Sequence, residues 1–178
     1  MTELDDQEYG ALRATIRERG TARVWTLVAG IAVWSALTAA VAALAATPLA
    51  TLLPLVMLIA TFEAVYALHV GVERIGRYLQ VFYETGDRHP HWERAAMAFG
   101  RPANAARVDP LFAIVFAIAA LVNLAPAALL RPIAPEWIVV GGAHVLFALR
   151  IVYARAAAGR QRAIDLARFQ EIRDRGFE

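Results

Sequence analysis

The chain has 178 residues, of which 59% are hydrophobic, and a net charge of +2. A soluble domain is typically about 45–50% apolar, so this composition indicates a membrane protein. The absence of cysteine excludes disulfides and thiolate sites. The one serine, Ser35, lies inside an apolar run, which argues against serine catalysis.

The first 23 residues predict a cytoplasmic, amphipathic helix. Tyr9, Leu12 and Ile16 recur at steps of three and four, which places them on one face. Such a helix either projects into water or lies on lipid headgroups, and Gly20 either ends it or lies within it. The acidic start lacks the basic-then-apolar pattern of a secretory signal, so we expect the first apolar run to remain as a membrane span.

Four apolar runs approach the ~20 residues that cross a bilayer. The predicted spans cover residues 24–46, 52–72, 110–130 and 136–153. The predicted segments are the N-terminal helix 1–23, transmembrane hairpin 24–73, cytoplasmic helix extension and loop 74–109, transmembrane hairpin 110–154, and cytoplasmic C-terminal helix 155–178. The predicted fold class is an all-α integral membrane protein, a four-transmembrane-helix bundle of two parallel-oriented hairpins.

The basic residues predict the orientation. All of them are arginine, and all except Arg131 lie outside the two short turns within the hairpins. Positive charge accumulates on the cytoplasmic side of membrane proteins. We therefore expect a multi-pass protein of the cytoplasmic (inner) membrane with both termini in the cytoplasm.

The two hairpins also match each other when one is shifted by 81 residues along the sequence. The shift places Pro54 on Pro135 and Arg74 on Arg155. One interpretation is an internal 2+2 repeat of parallel orientation. The other is chance similarity between alanine-rich helices.

Glu63 lies near the middle of the second predicted span, where a charged group costs ~2.5–3.5 kcal/mol. The 81-residue shift places Glu63 on His144, and Asn123 lies near the middle of the third span. We predict an intramembrane polar cluster of these three residues in which Glu63 faces His144. It is either a proton or cation site, or a buried clamp that holds the helices in register.

A second polar set lies lower on the same helix. Tyr66, His69 and Glu73 share one face, and Arg77 lies at pairing distance from Glu73. This set is either a cytoplasmic-side polar path toward Glu63 or the polar rim of the bundle. Four glycines are expected to allow close helix approach: Gly71, Gly76, Gly141 and Gly142.

We predict no metal and no cofactor. The spacing of acids and histidines does not match that of a di-iron bundle. A haem between His69 and His144 would need both at one depth. The loop from Asp87 to Glu93 contains residue types that bind zinc, but an exposed polar loop has the same composition.

The function expected from these features is that of a non-enzymatic accessory or assembly subunit of a membrane complex. Two alternatives stay open: a small oligomeric proton- or cation-linked transporter or channel that uses Glu63 and His144, and a membrane redox or metal enzyme. The expected partners are the lipid bilayer and either a second copy of the chain or a larger complex. The arginines lack the setting of a nucleic-acid site, so no nucleic acid is expected.

Overall fold

A computed structural model describes residues 3–84, 92–99 and 109–176. This part of the chain is 91% helix and contains no strand, which confirms the predicted all-α class. Its elements in chain order are α1 (Glu3–Leu44), the 3-10 helix η1 (Pro48–Thr51), α2 (Leu52–Phe82), α3 (Trp92–Phe99), α4 (Ala113–Leu129) and α5 (Ala134–Arg175).

Within the described ranges, three helical segments are long and apolar enough to cross a membrane: α1, the joined η1 and α2, and α5. α4 is also apolar but has 17 residues. At 1.5 Å per residue it is about 25 Å long, a little less than the ~30 Å hydrocarbon core of a bilayer. The lengths and composition of these helices indicate a membrane protein.

Three of the predicted segment borders, 23/24, 73/74 and 154/155, fall inside continuous helices. α1 passes through Gly20 without a break, so the N-terminal segment and the first apolar run form one helix. α5 likewise joins the last apolar run to the C-terminal segment. Neither helix contains proline beyond its first turn, and proline is the residue that most strongly interrupts a helix.

Local side-chain chemistry sets the start of α4, three residues later than the predicted span. The Asp109 carboxylate accepts hydrogen bonds from the N–H groups of Leu111, at 3.1 Å, and Ala113, at 2.6 Å. Phe112 between them has a left-handed backbone, with φ of 52°. A carboxylate that caps the free N–H groups of a first turn stabilises the beginning of a helix.

Contacts divide the chain into two compact units. Unit 1 comprises the described residues of Met1–Ala22, Leu68–Val108 and Ala156–Glu178. Unit 2 comprises Arg23–Ala67 and Asp109–Arg155. The helices α1, α2 and α5 contribute residues to both.

Unit 2 has an aromatic core and an apolar exterior. The Phe62 ring meets those of Phe116 and Phe147 edge to face, at 5.1 and 5.8 Å between centroids, so α2, α4 and α5 pack around one point. Large hydrophobic side chains also cover the outside of this unit. Among the described residues, the exposed large hydrophobics outside unit 2 are Trp92 and Ile164. An apolar exterior of this extent suits contact with lipid.

One glycine brings α1 and α2 of unit 2 unusually close together. A Cβ atom added to Gly30 would lie 2.2 Å from Cγ2 and 2.8 Å from Cβ of Thr61. Rotation of the Thr61 side chain does not move its Cβ, so the backbones themselves require glycine here. In contrast, nothing lies within 4 Å of a Cβ at Gly141 or Gly142, and the predicted close packing there is wrong.

Aromatic rings hold unit 1 together. The Tyr9 ring of α1 lies 5.6 Å from that of Tyr83, just beyond α2, and the Tyr78 ring of α2 lies 5.7 Å from that of Phe169 on α5. Burial, followed by the hydrogen bond to the Glu8 carboxylate, raises the pKa of Tyr83. Tyr83 therefore remains a protonated donor at neutral pH.

Two carboxylates, those of Glu84 and Glu93, attach α3 to the rest of unit 1. Buried Glu84 accepts the backbone N–H groups of Glu93 and Arg94, at 2.8 and 3.0 Å, and so caps the first turn of α3. The Glu93 carboxylate pairs with Arg13 of α1 at 2.7 Å. Burial, with the charge of Glu84, raises the pKa of Glu93, although Arg13 opposes the shift.

Candidate functional site

Asn123 is the centre of a polar network in the interior of unit 2. Its Oδ1 accepts from Trp34 Nε1 at 3.3 Å and from the Thr38 hydroxyl at 3.4 Å. Its Nδ2 donates to the Thr51 carbonyl at 3.0 Å and to His144 Nε2 at 3.1 Å. We call these five residues the Asn123 hub. One fully buried amide thus links α1, η1, α4 and α5.

The partners of the hub determine which way the amide points. The indole of Trp34 can only donate, so it must meet the amide oxygen, and the Thr51 carbonyl can only accept, so it must meet the amide nitrogen. That orientation directs the second N–H of Asn123 at His144, whose Nε2 must therefore accept. The other ring nitrogen, Nδ1, donates to the Val140 carbonyl at 2.7 Å. The imidazole is accordingly the neutral tautomer with its proton on Nδ1.

This arrangement leaves the hub chemically closed. Each donor and acceptor of the Asn123 amide has a partner. A second proton on His144 would point an N–H group at the N–H group of Asn123. Turning the amide would relieve that contact but would oppose the Trp34 indole instead. The geometry favours a neutral clamp over a group that gains and loses a proton.

Glu63 has a different partner from the predicted one. Its Oε2 accepts from Arg150 Nη2 at 2.7 Å. The guanidinium carbon of Arg150 lies 4.9 Å from the ring centre of Tyr66 and about one ångström farther from those of Phe62 and Tyr153. Aromatic rings on α2 and α5 thus hold the Arg150 side chain against Glu63.

Helix geometry explains why the expected contact between Glu63 and His144 is replaced by two separate contacts. Thr51 is level with the hub because its carbonyl bonds to Asn123. Glu63 follows Thr51 by twelve residues, which is about 18 Å along the helix. The 81-residue shift compares sequence positions only, whereas η1 starts the second apolar helix at the depth of Asn123. Glu63 therefore lies beyond the level of His144 and meets Arg150, which follows His144 by six residues, about 9 Å along α5.

The predicted polar path is divided between the two units. Tyr66 belongs to unit 2, and His69, Glu73 and Arg77 belong to unit 1. In unit 1 these three residues line a small cleft between α2 and α5. The remaining lining residues are Val70, Ala158, Gln161, Arg162 and Asp165.

Glu73 is the central acceptor of this cleft. Its Oε2 accepts from the predicted partner, Arg77, and also from Nε and Nη2 of Arg162, at 3.2 and 2.9 Å. Arg77 is only 3% exposed, so the Glu73 carboxylate compensates a positive charge that water hardly reaches. Asp165 accepts from Gln161 at 2.8 Å and lies 3.9 Å from Arg74. The acids and arginines of the cleft therefore serve as partners for one another.

The sequence did not single out the hub residues Trp34, Thr38 and Thr51, nor two arginines of α5. Arg150 and Arg162 were counted as cytoplasmic positive charge, yet each meets a carboxylate on α2. Their distances along the chain from Glu63 and Glu73, 87 and 89 positions, give no local spacing to detect. Only the register between α2 and α5 brings them together.

The part of the chain that the structure describes holds no group of three or more histidine and acidic side chains placed to bind a metal ion. In the central loop, Asp87, His89 and His91 lie outside the described residues, and Glu93 pairs with Arg13. The absence of a cofactor stays a prediction.

Comparison with protein-family models, with curated protein sequences and with solved structures gives no match to this chain. The function is therefore inferred from the residues described above.

Proposed function

We propose that this chain is a non-enzymatic accessory or assembly subunit of a larger membrane complex. The observation that carries the proposal is the closed Asn123 hub, in which the buried polar groups at the centre of unit 2 bond to one another in neutral form. A subunit that holds a shape requires this kind of interior. A proton or cation carrier requires a buried group that can change its charge or its partner.

In this proposal the protein is a four-transmembrane-helix bundle of two parallel-oriented hairpins, with α1, α2, α4 and α5 as the spans. The apolar exterior of unit 2 supports contact with lipid tails. The confinement of arginine to one set of segments supports insertion in the inner membrane with both ends in the cytoplasm. α4 is the shortest span, and a short span is accommodated by local thinning of the bilayer.

The contacts of unit 1 support a role in binding rather than catalysis. Its acids and arginines form pairs, as in Glu73 with Arg162 and Glu93 with Arg13. The exposed side of α5 in this unit still carries charged residues such as Arg168. That side is the face with which we expect a partner subunit to make contact.

The test uses the full chain in native membranes of its source, solubilised gently and separated by native electrophoresis. We expect it to migrate in a species larger than the oligomer that the purified protein forms alone. The charge reversal Arg168→Glu should disperse that species, whereas the control Glu18→Arg, at an exposed position of α1, should not.

A flux assay tests the competing transporter. Purified protein in proteoliposomes should show no proton or cation flux above empty vesicles. Flux that is present in the wild type and lost in Glu63→Gln, with the protein still folded, would overturn the subunit proposal.

A further inference from the structure

The apolar exterior of unit 2 contains a partly exposed ion pair between Glu63 and Arg150. The side chains of Glu63 and Arg150 are 41% and 32% exposed, although they bond to each other. Charged groups that face lipid tails are expensive and usually reach a polar environment. The pair therefore identifies a place where unit 2 meets something polar.

The surroundings of the pair are typical of the boundary between lipid tails and headgroups. Tyr66 and Tyr153 contact the Arg150 guanidinium, and Tyr153 is 61% exposed. Tyrosine and arginine collect at this boundary because each has an apolar body and a polar tip. Arg150 lies sixteen residues after Ala134, about 24 Å along α5. In a hydrocarbon core of ~30 Å, that distance brings it close to the far surface.

Both members of the pair retain unused hydrogen-bonding capacity. Glu63 accepts through Oε2, and its Oε1 has no partner among the described residues. A guanidinium carries five N–H donors, of which Nη2 of Arg150 uses one toward Glu63, while Nη1 is buried and has no partner among the described residues. A carboxylate oxygen that can accept thus lies beside a positively charged guanidinium, in a pair of which both side chains are partly exposed.

We propose that Glu63 and Arg150 together bind the headgroup of a zwitterionic phospholipid that has a primary ammonium group. The lipid phosphate accepts hydrogen bonds from Arg150, and the ammonium donates to Glu63. This partner matches both charges. An anionic headgroup would meet the Glu63 carboxylate, and a choline headgroup has no N–H to donate. The inference rests on the membrane embedding proposed above and is independent of the subunit role.

The decisive experiment varies the lipid rather than the protein. Purified full-length protein in detergent is mixed with phosphatidylethanolamine, its N-methyl and N,N-dimethyl derivatives, and phosphatidylcholine, and bound lipid is quantified by native mass spectrometry. We expect the affinity to fall as methyl groups replace N–H groups, by about tenfold across the series, the value of one charge-assisted hydrogen bond.

Glu63→Gln should flatten that series, whereas the exposed control Glu18→Gln should leave it unchanged. Arg150→Lys keeps the positive charge and should retain the order of the four lipids with weaker binding to all of them. If Glu63→Gln does not fold, the wild-type series alone still decides the matter.

Equal affinity across the series, tighter binding of phosphatidylglycerol, or unchanged discrimination in Glu63→Gln would each overturn the lipid site. A two-copy species that Glu63→Gln disperses would assign the pair to a dimer contact instead. Release of the protein from membranes by alkaline carbonate would refute membrane embedding itself, which separates that failure from failure of the lipid site.

Discussion

Units 1 and 2 handle their interior polar groups in opposite ways. In unit 2 the buried groups of the Asn123 hub are neutral and fully bonded, as in Asn123 with His144. In unit 1 they are charged, as in Glu73 with Arg77 and Arg162, and the last of these is 47% exposed. The exteriors are reversed too, apolar around unit 2 and polar around unit 1. The charged interior of unit 1 thus includes partners that water can reach, whereas the buried hub of unit 2, behind an apolar exterior, is bonded in neutral form.

The largest expected effect breaks the charged interior of unit 1. Glu73→Gln removes the carboxylate that Arg77 and Arg162 share, and Arg77 is almost completely buried. Loss of one partner of a buried ion pair costs about 3 kcal/mol. We expect thermal unfolding of the purified protein to show destabilisation of that size.

The matched control for this variant is Glu171→Gln. Glu171 pairs with Arg175 at 2.9 Å, but both side chains are more than half exposed, so the change should be under about 0.5 kcal/mol. High salt should reduce the stability difference between wild type and Glu73→Gln by screening the attraction. Equal effects of the two variants would show that burial of Arg77 has no energetic weight.

The next effect concerns the neutral interior of unit 2. Asn123→Leu removes four hydrogen bonds and leaves the Trp34 indole and the His144 Nε2 without partners. At about 0.6 kcal/mol for each interhelical bond, the destabilisation should be roughly 2 kcal/mol. Because the hub is uncharged, the difference should be the same at low and high salt. A salt-dependent loss would contradict the assignment of a neutral hub.

A smaller difference tests packing within unit 2. Gly30→Ala places a methyl group against Thr61, and overpacking costs about 1–3 kcal/mol. Replacing glycine by alanine in a helix returns about 0.5–1 kcal/mol, so the net loss should be about 1 kcal/mol. The control Gly141→Ala meets nothing within 4 Å and should stabilise the protein. Melting temperatures that move in the same direction would refute the close approach at Gly30.

The smallest expected effect is a pH dependence in unit 1. The pKa of Glu93 is raised from its ordinary value of 4.5, so the folded state holds this proton more tightly than the unfolded chain does. The stability that this provides is present below pH 4.5 and lost as pH rises through the raised pKa. The melting temperature of Glu93→Gln minus that of the wild type should therefore increase as the pH is raised from 4 to 7. The exposed variant Glu18→Gln should show no such increase.

Sequence reasoning succeeded where structure depends on neighbouring residues. Hydropathy identified the apolar parts of α1, α2, α4 and α5, because a run of about 20 apolar residues can be detected from composition alone. The Glu73–Arg77 pair followed from helical spacing, and the structure contains it. The continuous course of α1 through Gly20 was left open, since one glycine weakens a helix without ending it.

The parts that sequence could not supply depend on how helices are set against one another. Glu63 was assigned to His144 because both lie at the centre of apolar runs, whereas in the structure Glu63 bonds to Arg150 and His144 bonds to Asn123. The same limitation hid Gly30, whose requirement comes from Thr61 on another helix. Register between helices is decided by many weak contacts at once, and no short motif encodes it.

The partners of Asn123 in the hub are synthesised at different times. Trp34 and Thr51 leave the ribosome before Asn123, and His144 leaves after it. With the membrane embedding proposed above, one N–H of the amide lacks the His144 acceptor until α5 is complete, and lipid tails cannot supply another. An unfinished chain thus has an unpaired Asn123 N–H group, and α5, the last apolar helix to be translated, supplies its acceptor.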